Sequence, residues 1–276
     1  MKMLIIGGNG MAGHLLVRYF RQKGEYQVYY TTRGTVDRDG LLLDVTDDQS
    51  VHAILRAVRP DIIVNAVGIL NQAAEHNPAL AYEVNGIFPH RLRKAADALG
   101  ARLIHISTDC VFLGDRGSYS EADIPDAASV YGRSKAVGEV KDAPNHVTVR
   151  TSIIGPEIRS SCIGLMHWFM QQKGDVSGYC RVLWNGVTTL ELARAVEAFA
   201  MNRVSGLVHL VYPTPISKYE LLQCMKKAFD KQDVQIIPDE TTTLDRTLIA
   251  TRSDVQYVVP HYEEMLQQLA EWTRNQ

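Results

Sequence analysis

Lys2-Met3-Leu4-Ile5-Ile6-Gly7-Gly8-Asn9-Gly10-Met11-Ala12-Gly13 opens the chain, and its reading decides the fold. The apolar run over 2–6 predicts a buried strand, and the pattern over 11–23 predicts an amphipathic helix. The glycines between them fit two spacings at once. Gly8, Gly10 and Gly13 give G-x-G-x-x-G, while Gly7, Gly10 and Gly13 give G-x-x-G-x-x-G. A turn of this kind needs glycine for tight reversal, for close approach of backbone to a pyrophosphate, and for packing of helix on strand. The N–H groups of Met11 and Ala12 would then face an anion at a helix N-terminus. No Gly-Lys-Ser/Thr follows, so a P-loop is excluded.

Strand and helix patterns continue to alternate beyond this turn. Strands are expected at 26–31, 61–66, 102–107 and 146–151, and helices at 50–58, 79–99 and 131–140. The expected fold class is α/β: a Rossmann-type doubly wound parallel sheet with a smaller C-terminal substrate-binding lobe. Residues 1–157 form the dinucleotide-binding domain, rejoined by 186–213 with a helix at 188–201 and a strand at 206–212. Residues 158–185 and 214–276 form the lobe, where the Gly- and Ser-rich stretch 160–178 breaks the alternation.

The chain has 276 residues, 46% of them hydrophobic, and a formal net charge of -2, enough for a substantial core. This balance offers no electrostatic footprint for nucleic acid. Cys110, Cys162, Cys180 and Cys224 are scattered without a Cys-x-x-Cys pair, so reduced thiols and a cytoplasmic location are expected. No metal site is expected: no His-x-x-x-His occurs, and His14 and His105 read as packed or surface residues. No run is long enough to span a bilayer, and no membrane partner is expected.

Two Tyr-x-x-x-Lys pairs occur, Tyr19 with Lys23 and Tyr131 with Lys135. Residues four apart share a helix face, and an ammonium there lowers the pKa of a phenol. Tyr19 lies roughly 13 Å along the first helix, away from the carboxyl ends of the strands. That pair reads as packing on a helix face. Tyr131 opens a helix after a polar connection that leaves the 102–107 strand beside Ser107-Thr108-Asp109. Thr108 can then hydrogen-bond a carbonyl while Tyr131 protonates it.

NAD-binding folds often carry a ribose-binding acid about twenty residues past the turn. Residues 26–36 hold none, and Thr32-Arg33 follows the second strand instead. Arg33 suits the 2′-phosphate of NADP; its other reading is a surface arginine. NADPH is the expected cofactor, with NADH as the alternative. Asp44 and Val45 could meet the adenine edge, or Asp44 could cap a helix.

With these residues in place, the chain resembles the extended, nucleotide-sugar branch of the short-chain dehydrogenase/reductase superfamily over nearly its whole length. Within that branch it is most similar to the dTDP-4-dehydrorhamnose reductase family. The motifs that carry the resemblance are the glycine turn, Asn65-Ala66-Val67-Gly68, Ser107 to Phe112, and Tyr131-Gly132-Arg133-Ser134-Lys135 with Gly138-Glu139. Arg150 to Gly155 and Trp184-Asn185-Gly186-Val187 match further segments.

The resemblance implies a catalytic triad of Thr108, Tyr131 and Lys135, with Lys135 also holding the nicotinamide ribose. It implies that Ala66, Val67, Gly68, Asn85 and Ile153 border the cofactor. Cys110, Val111, Phe112, Trp184 and Asn185 would border the substrate, a nucleotide-activated 4-keto-6-deoxy sugar of deoxysugar and cell-surface polysaccharide biosynthesis. A homodimer is the candidate assembly. Cys110 stands where these reductases usually have Tyr, and where the related dehydratases have an acid. Two rivals follow: an epimerase retaining NAD, which Arg33 disfavours, and a non-catalytic NADP-binding regulatory subunit.

Overall fold

Five residues, Lys2–Ile6, form strand β1, and Met3, Leu4 and Ile5 are fully buried because helices cover both faces of the sheet. The computed structural model describes residues 1–34, 37, 39–158 and 164–275. After β1 come α1 (Met11–Lys23), β2 (Gln27–Thr32), β3 (Leu41–Leu42), α2 (Asp48–Val58) and β4 (Ile62–Asn65). Then follow α3 (Asn71–His76), α4 (Pro78–Ala81), a π-helix (Tyr82–Ile87), α5 (Phe88–Leu99) and β5 (Arg102–Ile106). A 3-10 turn (Asp109–Val111) leads to α6 (Val130–Val137), β6 (Val147–Arg150), β7 (Ile153–Ile154) and α7 (Leu165–Gln171). The remainder is β8 (Gly174–Trp184), β9 (Val187–Thr188), α8 (Thr189–Met201), β10 (Gly206–His209), β11 (Ile216–Ser217), α9 (Lys218–Ala228), β12 (Val234–Asp245) and α10 (Tyr262–Arg274).

Seven parallel strands make the main sheet in the order β3-β2-β1-β4-β5-β6-β10. This is the expected doubly wound α/β arrangement. The order reverses between β1 and β4, and ligands bind at the carboxyl ends of strands at such a switch point. Local chemistry sets the helix limits. α1 and α5 stop at Gly24 and Gly100, both left-handed. The Asp47 side chain caps α2, Ser129 caps α6, and Ser217 with Glu220 forms a capping box on α9.

A second sheet, β11-β8-β12, carries α9 on one face. Its strands come from 174–184, 216–217 and 234–245, stretches that sequence periodicity left irregular. β8 reads Gly-Asp-Val-Ser-Gly-Tyr-Cys-Arg-Val-Leu-Trp, and pairing with β12 rather than its own pattern makes it a strand. The helix expected over 79–99 is broken in register by the π-helix around Asn85. α10, expected within the lobe, packs on both α9 and α8, and Trp272 Nε1 donates to Gln22 of α1 at 3.1 Å. Residues 159–163 of the expected lobe, Cys162 among them, lie outside the described residues. Among the described residues, no helix is long and apolar enough to cross a membrane.

Candidate active site

The turn after β1 is built to keep its centre empty. Gly7 has φ +89°, a left-handed conformation, and a Cβ there would lie 2.8 Å from Val67. A Cβ on Gly13 would sit 2.1 Å from the Gly7 carbonyl oxygen, so the helix can approach the turn only through glycine. Gly10 takes the N-cap position of α1 with no side-chain cap, and the first turn holds no acid. The N–H groups of Met11, Ala12 and Gly13 therefore lack intrahelical acceptors and face outward. This cradle fits a pyrophosphate, and bulk at Gly7 or Gly13 would fill it.

The opposite wall is the loop after β4. Asn65 Oδ1 accepts from Val67 N–H at 3.3 Å, and its Nδ2 donates to His105 Nδ1 at 3.1 Å. Burial holds His105 neutral. Ala66, Val67 and Gly68 are half-buried along this wall. Asn85, fully buried, accepts from Ile69 N–H and donates to both the Ile69 carbonyl and Ser134 Oγ, at 2.8–3.0 Å. It thus ties the wall to α6 through its own side chain. Ile153, half-buried on β7, follows two residues after Thr151.

At the end of β5, Thr108 Oγ1 donates to Asp109 Oδ1 at 3.1 Å and accepts from Cys110 N–H at 3.1 Å. Ser129 Oγ accepts from Gly132 N–H and starts α6 so that its first turn brings Tyr131 to this strand end. A Cβ on Gly132 would lie 2.1 Å from the Cys110 carbonyl oxygen, which is how closely α6 docks there. The Tyr131 phenol is pushed above its ordinary range by burial, with the neighbouring Cys110 adding to the rise; hydrogen bonding to Thr108 works the other way.

Lys135 departs from the expected arrangement. Its Nζ donates to the Ile106 carbonyl at 2.7 Å, and burial brings its own pKa down to about 8. The groups that shift the phenol are Cys110, Thr108 and Asp109, and burial outweighs them all. The expected depression of the Tyr131 pKa by Lys135 is therefore not what this arrangement produces. Behind Lys135, one turn further along, Glu139 forms a buried ion pair with Arg150 and accepts from Ser107 Oγ at 2.9 Å.

The residues expected at the substrate separate into two groups. Cys110 is half-buried beside Thr108, and burial together with Asp109 pushes its thiol up to about 12. Val111 and Phe112 are fully buried in a small core with Tyr119, Val211 and Leu248. Asn185 spends its amide on backbone: it donates to the carbonyls of Tyr212 and Leu248 and accepts from Leu248 N–H. Trp184 is only 3% exposed and packs against Tyr262, with Lys218 Nζ 5.2 Å from its ring centre.

Two cations approach this floor from the second sheet, and sequence reasoning missed both. Lys218 is the first residue of α9, and burial lowers its pKa to about 8. Arg246, just past β12, donates to the Leu113 carbonyl at 3.3 Å and to Cys110 Sγ at 3.7 Å. Asp109 feels both, yet burial raises its pKa above the usual carboxylate range. The Ser217-x-x-Glu220 capping box could have placed Lys218 at a helix start. No local signal marks Arg246.

At the adenosine end, Arg33 is exposed just beyond β2. Asp44 is exposed and accepts from Thr46 N–H and Oγ1 at 2.9 and 2.7 Å; the α2 cap is Asp47. Val45 is buried, and its carbonyl accepts from Arg91. Asp37, one residue beyond the stretch read for acids, accepts from Tyr30 Oη at 2.8 Å. The second Tyr-x-x-x-Lys pair is a latch between helices: Tyr19 Oη donates to Glu197 of α8 at 2.6 Å, and Lys23 pairs with the same carboxylate at 3.1 Å.

Residues 1–265 match the family described as RmlD substrate binding domain. A probable low-salt glycan biosynthesis reductase of Haloferax volcanii is 34% identical over 161 residues, 56% of this chain and 54% of the relative. The chain thus spans about half the length of the first curated relatives it matches. The dTDP-4-dehydrorhamnose reductase of Escherichia coli K12 is 25% identical over 90% of this chain and 97% of its own length. Methionine adenosyltransferase 2 subunit beta of Bos taurus is 26% identical over 86% and 75%. The crystal structure of a dTDP-4-dehydrorhamnose reductase from Bacillus anthracis in complex with NADP superposes with a TM-score of 0.84 over 99% of both chains at 22% identity, a likeness of fold.

Proposed function

The chain belongs to the RmlD substrate binding domain family, and from that premise we propose that it is an NADPH-dependent reductase of a nucleotide-activated 4-keto-6-deoxy sugar, acting in deoxysugar biosynthesis. One observation carries the reading. Half-buried Tyr131, in the first turn of α6, stands beside Thr108 at the carboxyl edge of the sheet, where Gly132 docks against the Cys110 carbonyl, on the side of the switch point where the glycine cradle opens. The relatives named dTDP-4-dehydrorhamnose reductase support the substrate class, and the neighbour solved with NADP supports the cofactor, as does Arg33.

When bound, the dinucleotide supplies the hydride. Met11, Ala12 and Gly13 N–H groups would hold its pyrophosphate, and Ala66, Val67 and Gly68 its far wall. Thr108 donates a hydrogen bond to the substrate carbonyl oxygen and Tyr131 gives it a proton. Because burial keeps the phenol protonated, the proton is in place before reaction. Lys135, its ammonium set by the Ile106 carbonyl, would hold the nicotinamide ribose. Half-buried Cys110 borders the sugar. The free thiols of Cys110, Cys180 and Cys224 support a reducing, cytoplasmic setting.

Tyr131→Phe tests the assignment. NADPH oxidation with a dTDP-4-keto-6-deoxy sugar should fall by roughly 10²–10⁴-fold, with NADPH binding nearly unchanged. Undiminished turnover in the variant would exclude Tyr131 as the proton donor. Tight NADPH binding by the wild type without turnover of any dTDP-, UDP- or GDP-keto sugar would favour the regulatory-subunit reading, which the subunit beta likeness keeps in view.

A further inference from the structure

We propose that His209 is a positioning residue for the reduction: its imidazole holds Arg150, and Arg150 holds the strand end that carries Thr108, an inference that rests on the reductase reading above.

Arg150 lies directly across from this strand end. Ser107 N–H donates to the Val149 carbonyl at 2.7 Å and Asp109 N–H to the Thr151 carbonyl at 3.2 Å, so bonds to the two neighbours of Arg150 bracket Thr108. The Arg150 side chain adds two further holds on the same segment. Its ion-pair partner Glu139 accepts from Ser107 Oγ, and its guanidinium lies over the Phe112 ring, 5.0 Å from the ring centre.

A fully buried guanidinium needs an acceptor for each nitrogen. Nε and Nη2 are taken by Glu139. Nη1 meets His209 Nε2 at 3.3 Å, its one acceptor among the described residues. Because arginine only donates, Nε2 must present its lone pair, and the ring proton sits on Nδ1, which donates to the Ile249 carbonyl at 2.9 Å. The tautomer is thus fixed from both sides. Glu121 secures the same residue through the backbone: one oxygen accepts from His209 N–H at 3.1 Å, the other from Thr251 N–H and Oγ1 at 3.0 and 2.6 Å. The segment 249–251, which follows the second sheet, is thereby tied to the strand end that presents the Thr108 hydroxyl. A small displacement of that hydroxyl would misalign it with a substrate carbonyl.

This arrangement works only while Nε2 is unprotonated. A proton there would set an N–H against the Arg150 N–H and an imidazolium beside a guanidinium. The charged groups around the ring are Arg150 on β6, Glu139 just past α6, Glu121 on the connection into α6, and Arg252 beyond β12, which lines the same small cavity. The two carboxylates favour protonation, but burial outweighs them and holds the imidazole pKa below its ordinary 6.5.

The test compares His209→Gln, which keeps an acceptor for Arg150 and cannot titrate, with His209→Leu, which keeps bulk alone. NADPH oxidation with a dTDP-4-keto-6-deoxy sugar is followed over about pH 5–8, and amide hydrogen exchange is measured on the full-length protein loaded with NADPH. His209→Leu should lower kcat by roughly tenfold or more, with the KM for the sugar nucleotide and the NADPH affinity nearly unchanged. Its amides over 107–112 should exchange faster while those over 2–23 do not, which also reports that the variant is folded. His209→Gln should retain most of the kcat and the protection. Wild type should lose kcat as pH falls below 6.5, and His209→Gln should not. Wild-type kcat and protection in His209→Leu would overturn the role, as would equal losses in both variants, faster exchange spread equally over 2–23, or an unchanged acid loss in His209→Gln. Absent keto-sugar turnover by wild type would instead overturn the reductase reading alone, and exchange over 107–112 would still decide the hold of His209 on the strand end.

Discussion

Glu139 and Arg150 form a bidentate ion pair in which neither side chain has any solvent exposure: Nε to Oε1 is 2.6 Å and Nη2 to Oε2 is 2.7 Å. The pair links the segment just past α6, one turn beyond Lys135, to β6, the strand between β5 and β10. Ser107 joins it from β5, so the backbone that carries Thr108 and the helix that carries Tyr131 share one buried anchor.

Removing one partner should be far worse than removing both. Arg150→Met leaves a buried carboxylate and should cost about 3–5 kcal/mol of unfolding free energy, whereas Glu139→Leu with Arg150→Met should cost much less. Urea denaturation of the two proteins measures the difference. The pH dependence follows. Arg150, the nearby Lys141 and Ser107 hold the Glu139 carboxyl below its ordinary 4.5. The folded state thus binds fewer protons than the unfolded one. The contribution is complete above pH 4.5 and is lost as pH falls through the depressed value. Glu139→Gln should show a flatter acid limb of stability.

Gly13→Ala and Gly24→Ala should behave differently, one lying in the first turn of α1 and the other at its C-cap. At Gly13 the new Cβ meets the Gly7 carbonyl at 2.1 Å, and overpacking of this kind costs about 1–3 kcal/mol and displaces the cradle. NADPH affinity should drop more than tenfold by fluorescence titration. At Gly24 there is open space but φ is +70°, so a stability loss of about 1 kcal/mol with unchanged NADPH affinity is expected.

Tyr19→Phe removes a hydroxyl donated to Glu197 and should lower stability by about 1.5–3 kcal/mol, the range for hydrogen bonds to charged groups. Turnover should not change. A matched loss of kcat would mean that the latch between α1 and α8 reaches the active site.

Arg33→Ala should raise the KM for NADPH by about tenfold or more while leaving that for NADH within twofold, since a charge-assisted contact to a 2′-phosphate is worth about 1.5–3 kcal/mol. Equal effects on both cofactors would assign Arg33 to the surface.

Much of the site was legible because it is local. The glycine spacing is set locally: Gly13 is required by the Gly7 carbonyl oxygen and Gly7 by its positive φ. The i, i+4 spacing put Tyr131 and Lys135 on one helix. It could not show where the ammonium would point, because the Ile106 carbonyl that takes it belongs to another element.

By itself the sequence determined the doubly wound sheet and the glycine turn that opens its first helix, since both follow from short-range periodicity and turn chemistry. Tertiary structure alone decided the second sheet, whose strands exist because β8 and β12 pair across some sixty residues. It also decided that Val111, Phe112 and Asn185 serve the core, and that Lys218 and Arg246 meet beside Cys110. Burial and long-range charge act through space, and no spacing along the chain encodes them.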